Sequence, residues 1–162
     1  VAEGEQKEKI DAAAENFGMP MGPIELVDLI GLDVALSVAK VLSLPAPEDN
    51  PLLRLVSEKK LGKKSGEGFY KWASGKPQKM QIAFDRAELE RLGRDLVEPL
   101  VDECERVLAE GVVADADHVD AGVIFGTGFA PFRGGPLHYR ASHAAESQKA
   151  VTSGEAPAHA AE

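Results

Sequence analysis

The chain has 162 residues, 44% of them hydrophobic, and a formal net charge of −9 at pH 7. That length fits one domain able to bury a real core, and the surplus of carboxylates excludes binding to nucleic acid or an anionic membrane, which needs clustered Lys and Arg. The densest basic stretch, residues 59–64, is too short to reverse that balance.

Apolar residues recur at helical spacing, and strand-type runs are absent apart from a short extended piece at 68–72, so the pattern predicts an all-α protein. Gly22 followed by Pro23 opens a helix, since Pro suits the first helical position, and Ile24, Val27 and Ile30 form its expected buried face. Gly31 ends it. Glu25 and Asp28, three apart on that helix, read as exposed solubilising charges. Asp33 is the expected cap of a second helix over 34–42. After the loop SLPAPEDN, Asn50 caps and Pro51 begins a third helix ending at Gly62.

Beyond the loop GKKSGEGFYKW and a polar linker, Asp85 and Glu88 make a capping-box pattern that opens the longest helix, over 86–109. At ~1.5 Å per residue it spans roughly 36 Å. Leu89, Leu92, Leu96, Leu100, Glu103, Cys104 and Val107 form its expected inward stripe, and Pro99 is expected to kink it. Gly111 ends it. Asp115 or Asp117 starts a short helix through Ile124, and Gly135 with Pro136 starts another. From Ala141 onward the chain is Ala-rich and polar, and its far end is expected to fray.

The most informative feature is a repeat anchored on the two Gly-Pro pairs. Ile10-Asp11 aligns with Val119-Asp120, Phe17-Gly18 with Phe125-Gly126, and Ala2-Glu3-Gly4 with Ala109-Glu110-Gly111. On that alignment VAEG is the last turn of a helix whose body precedes residue 1. The expected division is a first, N-terminally truncated helical repeat over 1–72, a linker over 73–84, a second repeat over 85–140 and a tail over 141–162. The start at Val rather than Met also reads as a fragment.

One cysteine, Cys104, cannot form an internal disulfide, and no Cys/His spacing of the zinc type occurs, so no metal site and a reducing compartment, the cytoplasm, are expected. No apolar run approaches the roughly 20 residues of a membrane span, and the start VAEGEQKEKID is the opposite of a signal peptide.

The segment PMGPIELVDLIGLD, the later GKKSGEGFYKW and the pattern VDEC…LAEG…VDAGVIFGTGFAPFRGGPLHY resemble the C-terminal domain of the 3-hydroxyacyl-CoA dehydrogenases, in the tandem form of fatty-acid oxidation multifunctional proteins. The likeness covers about residues 1–140. It implies two pseudo-twofold-related helical repeats, arranged like the C-terminal domain of 6-phosphogluconate dehydrogenase. It further implies a parent enzyme, with or without a fused hydratase, that oxidises a 3-hydroxyacyl-CoA with NAD. In that family a Rossmann domain binds NAD and carries a His–Glu catalytic pair, while the helical domain closes over the acyl-CoA and mediates subunit contacts. No strand followed by G-x-G-x-x-G occurs here, so no catalytic or cofactor-binding residue is assigned.

The resemblance implies substrate contacts at Met19, Pro20, Met21 and Gly22, where a Gly/Pro turn lets backbone and Met side chains approach an acyl thioester. The alternative is a helix entry with a fixed turn. Phe125 stands where relatives often carry a substrate-contacting Tyr; lacking the hydroxyl, it reads first as a core residue. Residues 62–68 read as a solvated loop, with backbone N–H groups and two lysines as an alternative contact for a CoA phosphate. His118, His138, His143 and His159 share no metal spacing. Arg133 is an expected partner for a carboxylate across the repeats.

The implied partners are acyl-CoA, the parent's own Rossmann domain and a second copy in a homodimer. The dimer is expected to pair apolar residues near Ile10, Phe17, Ile24 and Val27, left open by the missing helix. By itself the chain is expected to show neither dehydrogenase activity nor NAD binding. A second reading is a non-catalytic helical protein-interaction module.

Overall fold

The computed structural model describes residues 5–44 and 50–152, and among these the regular structure is helical apart from one small hairpin. Four helices come first: α1 (Lys7–Phe17), α2 (Pro23–Ile30), α3 (Leu32–Val41) and α4 (Pro51–Ser57). β1 (Trp72–Ala73) and β2 (Lys76–Pro77) then pair antiparallel, with Trp72 opposite Pro77. α5 (Arg86–Ala109), α6 (Ala116–Thr127) and α7 (Pro136–Thr152) complete the order. The protein is all-α, as its periodicity predicts. The VAEG turn, residues 45–49 of the loop SLPAPEDN, and the end of the tail with His159 lie outside the described residues. No helix among the described residues is long and apolar enough to cross a membrane.

Two compact units emerge. One holds the described residues through Phe17 together with Met21–Arg94; the other holds Gly18–Pro20 and the described residues from Asp95 onward. In the first, Ile10, Ala13, Ala14, Phe17, Leu32, Tyr70 and Leu92 are buried. The opening turns of α5 lie on α1: a Cβ at Gly93 would sit 2.7 Å from the carbonyl oxygen of Ala13, and Lys9 Nζ lies 3.2 Å from Glu88. Val97, Val101, Cys104, Val119, Phe129, Ala130 and Tyr139 are buried in the second unit.

Short side chains set several helix starts. Asn50 Oδ1 accepts from Leu52 N at 2.9 Å, Asp85 Oδ1 from Glu88 N at 3.1 Å, and Asp115 Oδ1 from His118 N at 3.0 Å. Each satisfies a backbone donor that has no partner inside its helix. Gly31, at φ 112°, ends α2 and opens α3 at once, a conformation open to Gly and costly to other residues.

Several expectations are corrected. α3 starts at Leu32 rather than Val34, because fully buried Leu32 donates its N–H to Leu61 O, while Asp33 turns outward to Lys64. α4 stops at Ser57, well short of Gly62, since Lys59 adopts φ 61° and Lys60 N closes back on Leu55 O. On α2 Ile30 is exposed, and the residue at 0% exposure is Asp28. Phe125 is 89% exposed, so it is no core residue; Gly128, at φ 73°, turns the chain after α6 so that Phe129 enters the core instead. On α5, Leu92, Val97, Val101 and Cys104 are buried, whereas Glu103 of the expected stripe is exposed. Ile10 and Phe17, expected near an open surface, are buried, and a Cβ at Gly93 of α5 would lie 3.3 Å from Phe17 Cβ.

Candidate functional site

Each Gly-Pro pair faces an aspartate on the helix before it. Asp11 of α1 accepts from Ile24 N at 2.8 Å and Glu25 N at 3.2 Å, at the start of α2. Asp120 of α6 accepts from Leu137 N at 2.7 Å and His138 N at 3.1 Å, at the start of α7. A side chain on Gly22 would overlap the Asp11 carboxylate, and one on Gly135 would overlap Asp120. Glycine therefore admits the carboxylate, proline opens the helix, and a buried anion meets the positive end of the helix dipole. The aligned Asp11 and Asp120 do the same work in the two units.

In the first unit this device is built into a larger polar network. Tyr70 Oη donates to Asp11 Oδ2 at 2.9 Å, and Lys79 Nζ lies 3.3 Å from the same oxygen, 2.9 Å from Glu15 and 2.7 Å from Glu25. Lys7 donates to Phe69 O and stands over the Tyr70 ring, 4.8 Å from its centroid. Burial pushes the Asp11 carboxyl above its usual range, against the opposing hydrogen bonds from Tyr70 and Ile24 and the charge of Lys79. Burial, then the neighbouring Asp11 charge, pushes the Tyr70 phenol up. For Lys79 burial acts downward, but Glu25, Glu15 and Asp11 outweigh it and hold the ammonium charged. A phenol pushed up and an ammonium held charged supply no acid or base poised near neutral pH.

Asp28 organises the loop GKKSGEGFYKW. Its carboxylate accepts from Phe69 N and Tyr70 N at 2.8 Å each and from Trp72 Nε1 at 3.0 Å. Side chains on Gly62 or Gly68 would collide with Asp28, so these glycines let the loop close around it. The loop's own donors are largely engaged: Gly62 N bonds Glu67 O, Gly66 N bonds Lys63 O, and Gly68 N bonds Tyr70 O. Lys64 pairs with Asp33 and Lys63 lies 5.6 Å from the Trp72 ring centroid. That self-satisfied geometry leaves little of the loop for a CoA phosphate.

Among the expected substrate contacts, Met19 and Pro20 fall in one unit with Phe125, and Met21 and Gly22 in the other. Gly22 is buried against Asp11, Met19 and Met21 are half-buried, and Pro20 is exposed. Pro20 also packs on Gly128, whose added Cβ would lie 2.9 Å from Pro20 Cγ. Arg133 lies between Phe132 and Tyr139, 5.3 Å from each ring centroid. Among the described residues no group of three His, Cys, Asp or Glu could hold a metal ion. Cys104 is buried, which raises its thiol pKa, with the charges of Asp120 and Glu103 adding to the effect.

Sequence reasoning missed an exposed apolar face on α2 and α3. Leu26, Leu29 and Ile30 of α2 and Val34, Val38 and Val41 of α3 are exposed, Ile30 at 53% and Val38 at 51%. The spacing 26, 29, 30 and 34, 38, 41 puts each set on one side of its helix. Asp28 holds the opposite side of α2, so a rotation set by one buried carboxylate turns three apolar residues outward.

Residues 1–72 match the family model described as 3-hydroxyacyl-CoA dehydrogenase, C-terminal domain. The chain is 36% identical over 159 residues to the fatty acid oxidation complex subunit alpha of Shewanella sp. (strain ANA-3), covering 85% of this chain and 22% of that protein. It is 33% identical over 152 residues to the subunit of the same name from Vibrio cholerae, covering 84% and 21%. The chain thus spans about a fifth of the length of these curated relatives. Its fold is similar to a crystal structure of the dehydrogenase part of multifunctional enzyme 1 from C. elegans, with a TM-score of 0.51 and 25% identity over 70% of this chain and 29% of that one. Through residues 1–72 the chain belongs to the 3-hydroxyacyl-CoA dehydrogenase C-terminal domain family, in the form found in fatty-acid oxidation proteins.

Proposed function

We propose that this chain is the substrate-covering and subunit-contact region of an NAD-dependent 3-hydroxyacyl-CoA dehydrogenase of fatty-acid β-oxidation. The observation that carries the reading is the exposed apolar face of α2 and α3, which a partner surface or a bound acyl chain would cover. The Asp28 and Asp11 networks hold that face rigid, through the GKKSGEGFYKW loop and the start of α2. The turn at Met19–Gly22 leads directly into α2, so it is the segment best placed to form a wall of the acyl site.

The described residues do not fit the dinucleotide of the parent reaction. Their sheet is a two-residue antiparallel hairpin, with no parallel strand feeding a glycine-rich turn and a helix N-terminus. No hydride step is therefore assigned to them, and they act on substrate position and water exclusion.

Leu29→Glu with Val38→Glu in the full-length parent enzyme tests the role. The expected result is a fall of at least about tenfold in kcat/KM for a 3-hydroxyacyl-CoA, one order being the effect of losing ~1.4 kcal/mol of transition-state positioning. Unchanged kcat/KM in a properly folded double variant sinks the proposal. The chain on its own is expected to show no oxidation of NADH with acetoacetyl-CoA.

A further inference from the structure

We propose that the open side of α6 in the second unit is a docking site for an amphipathic helix of the α5 type, supplied by the rest of a longer protein like the curated relatives, of which this chain spans about a fifth. The first unit is the template. Asp11 and Asp120 each accept from the two residues after a helix-opening proline, so the alignment that pairs them holds for the backbone as well as for the sequence. Carried along the two helices, it sets Lys9 against His118, Ala13 against Gly122 and Ala14 against Val123, while Phe17 has Phe125 as its counterpart.

In the first unit that side of α1 is closed. Ala13 is 0% and Phe17 3% exposed, and Leu92 and Gly93 of α5 are buried with them. A Cβ at Gly93 would stand 2.7 Å from Ala13 O and 3.3 Å from Phe17 Cβ, and one turn before Leu92 the carboxylate of Glu88 pairs with Lys9 at 3.2 Å. The covering helix therefore reads Glu-x-x-x-Leu-Gly: an acid for the cation on the helix beneath, an apolar anchor, and a glycine where the two backbones come close.

In the second unit the same side is open. Phe125 is 89% exposed, and a Cβ added at Gly122 or Gly126 would meet nothing within 4 Å. Glycines inside a helix weaken it, and their use is to admit another backbone. Beside Gly122 lies a recess of about 290 Å³ walled by Leu100, Cys104 and Val107 of α5 and Val119 and Val123 of α6, which offers the docking helix an apolar socket for the anchor that Leu92 provides in the first unit. His118, on its rim, stands where α1 has Lys9, and its hydrogen bond to Asp115 at 2.7 Å favours the charged imidazole, so the acid of the docking helix again meets a cation. The rim carboxylate of Glu103 is engaged by Arg106 at 2.9 Å.

The inference rests on a longer parent protein and not on the proposed substrate role, so a failure of the kinetic test above leaves it standing. Phe125→Cys is labelled with a maleimide in the isolated chain and in the full-length parent, and modification at that position is followed by peptide mass spectrometry. Labelling at least about tenfold slower in the parent is expected, because the docked helix covers the position. A synthetic peptide of residues 85–98, DRAELERLGRDLVE, added to the isolated chain is expected to shift amides at 118–126 saturably, with a dissociation constant below about 1 mM. Leu92→Glu in the peptide, or Gly122→Leu in the chain, where the new side chain has open space, is expected to weaken binding at least about tenfold. The proposal is overturned by equal labelling rates in the two proteins, by no saturable shifts up to about 5 mM peptide, or by shifts confined to α1. It is overturned equally by a Phe125→Glu chain that loses an oligomer the wild type forms, which would give the face to a second copy.

Discussion

At the scale of single residues, buried carboxylates organise the first unit. Asp28 is at 0% exposure and accepts from two backbone N–H groups and the Trp72 indole. Asp28→Asn replaces one acceptor oxygen with an amide donor facing donors, so a loss of about 2–3 kcal/mol is expected in urea unfolding, while Asp33→Asn on the surface changes little. An Asp28→Asn midpoint equal to wild type would mean the carboxylate does not hold the loop. His118 offers a pH readout of a different kind. Its hydrogen bond to Asp115, at 2.7 Å, raises the imidazole pKa above the ordinary 6.5. A histidine whose pKa is raised by folding contributes stability that is fully present below 6.5 and lost as pH rises through the folded value. NMR titration is expected to place His118 above 6.5 in the wild type and back near it in Asp115→Ala.

Elements in this fold are joined by side chains that reach from one helix to the start of the next. Gly22→Ala forces a methyl into the Asp11 carboxylate, displacing the anion that serves Ile24 N and Glu25 N. Overpacking plus a lost cap predicts about 2–4 kcal/mol of destabilisation, with faster amide exchange through the first turn of α2. Gly66→Ala, with nothing within 4 Å of the added Cβ, is the control for crowding, since only its φ of 81° opposes the change. The segment after β2 is tied down by Lys79, which joins it to Asp11 and Glu15 on α1 and Glu25 on α2. Lys79→Met leaves those carboxylates facing one another without their cation. About 1–2 kcal/mol and readier proteolysis at residues 80–84 are expected, between the values for exposed and buried pairs because the lysine is 24% exposed. Unchanged cleavage at 80–84 would place the anchor of this segment elsewhere.

For the molecule as a whole, the exposed α2–α3 face is expected to govern behaviour in solution. Six apolar side chains at 39–83% exposure are more than scattered surface residues, and covering them favours association through the hydrophobic effect. The purified chain is expected to run above its monomer mass of 17.2 kDa in light scattering coupled to size exclusion, most simply as a twofold dimer. Leu29→Glu with Val38→Glu is expected to return it to the monomer without moving the unfolding midpoint. A wild-type monomer at about 100 µM, a concentration at which a useful interface is populated, would remove self-association from the proposed function. The surface differs from the one implied by the repeat alone, because Ile10 and Phe17 are buried.

The helical class, most helix ends and the two Gly-Pro starts were legible in the sequence, because caps, glycines and prolines act through their own backbone within a few residues. Asn50, Asp115 and Gly31 need no distant partner to do their work. The aligned Ile10-Asp11 and Val119-Asp120 also marked the residues that later proved to hold both helix starts, although the pattern did not say why. Tertiary structure alone decided the fate of Asp28 and Phe125. Helical spacing gives the angle between side chains on α2 but not which side faces inward, and that was set by three donors 41 to 44 residues away. At the end of α6 the sequence pointed to Phe125 as the core aromatic, but the left-handed turn at Gly128 buried Phe129 and left Phe125 in water. A helix carries its periodicity in its own sequence; its rotation is fixed only by what it packs against.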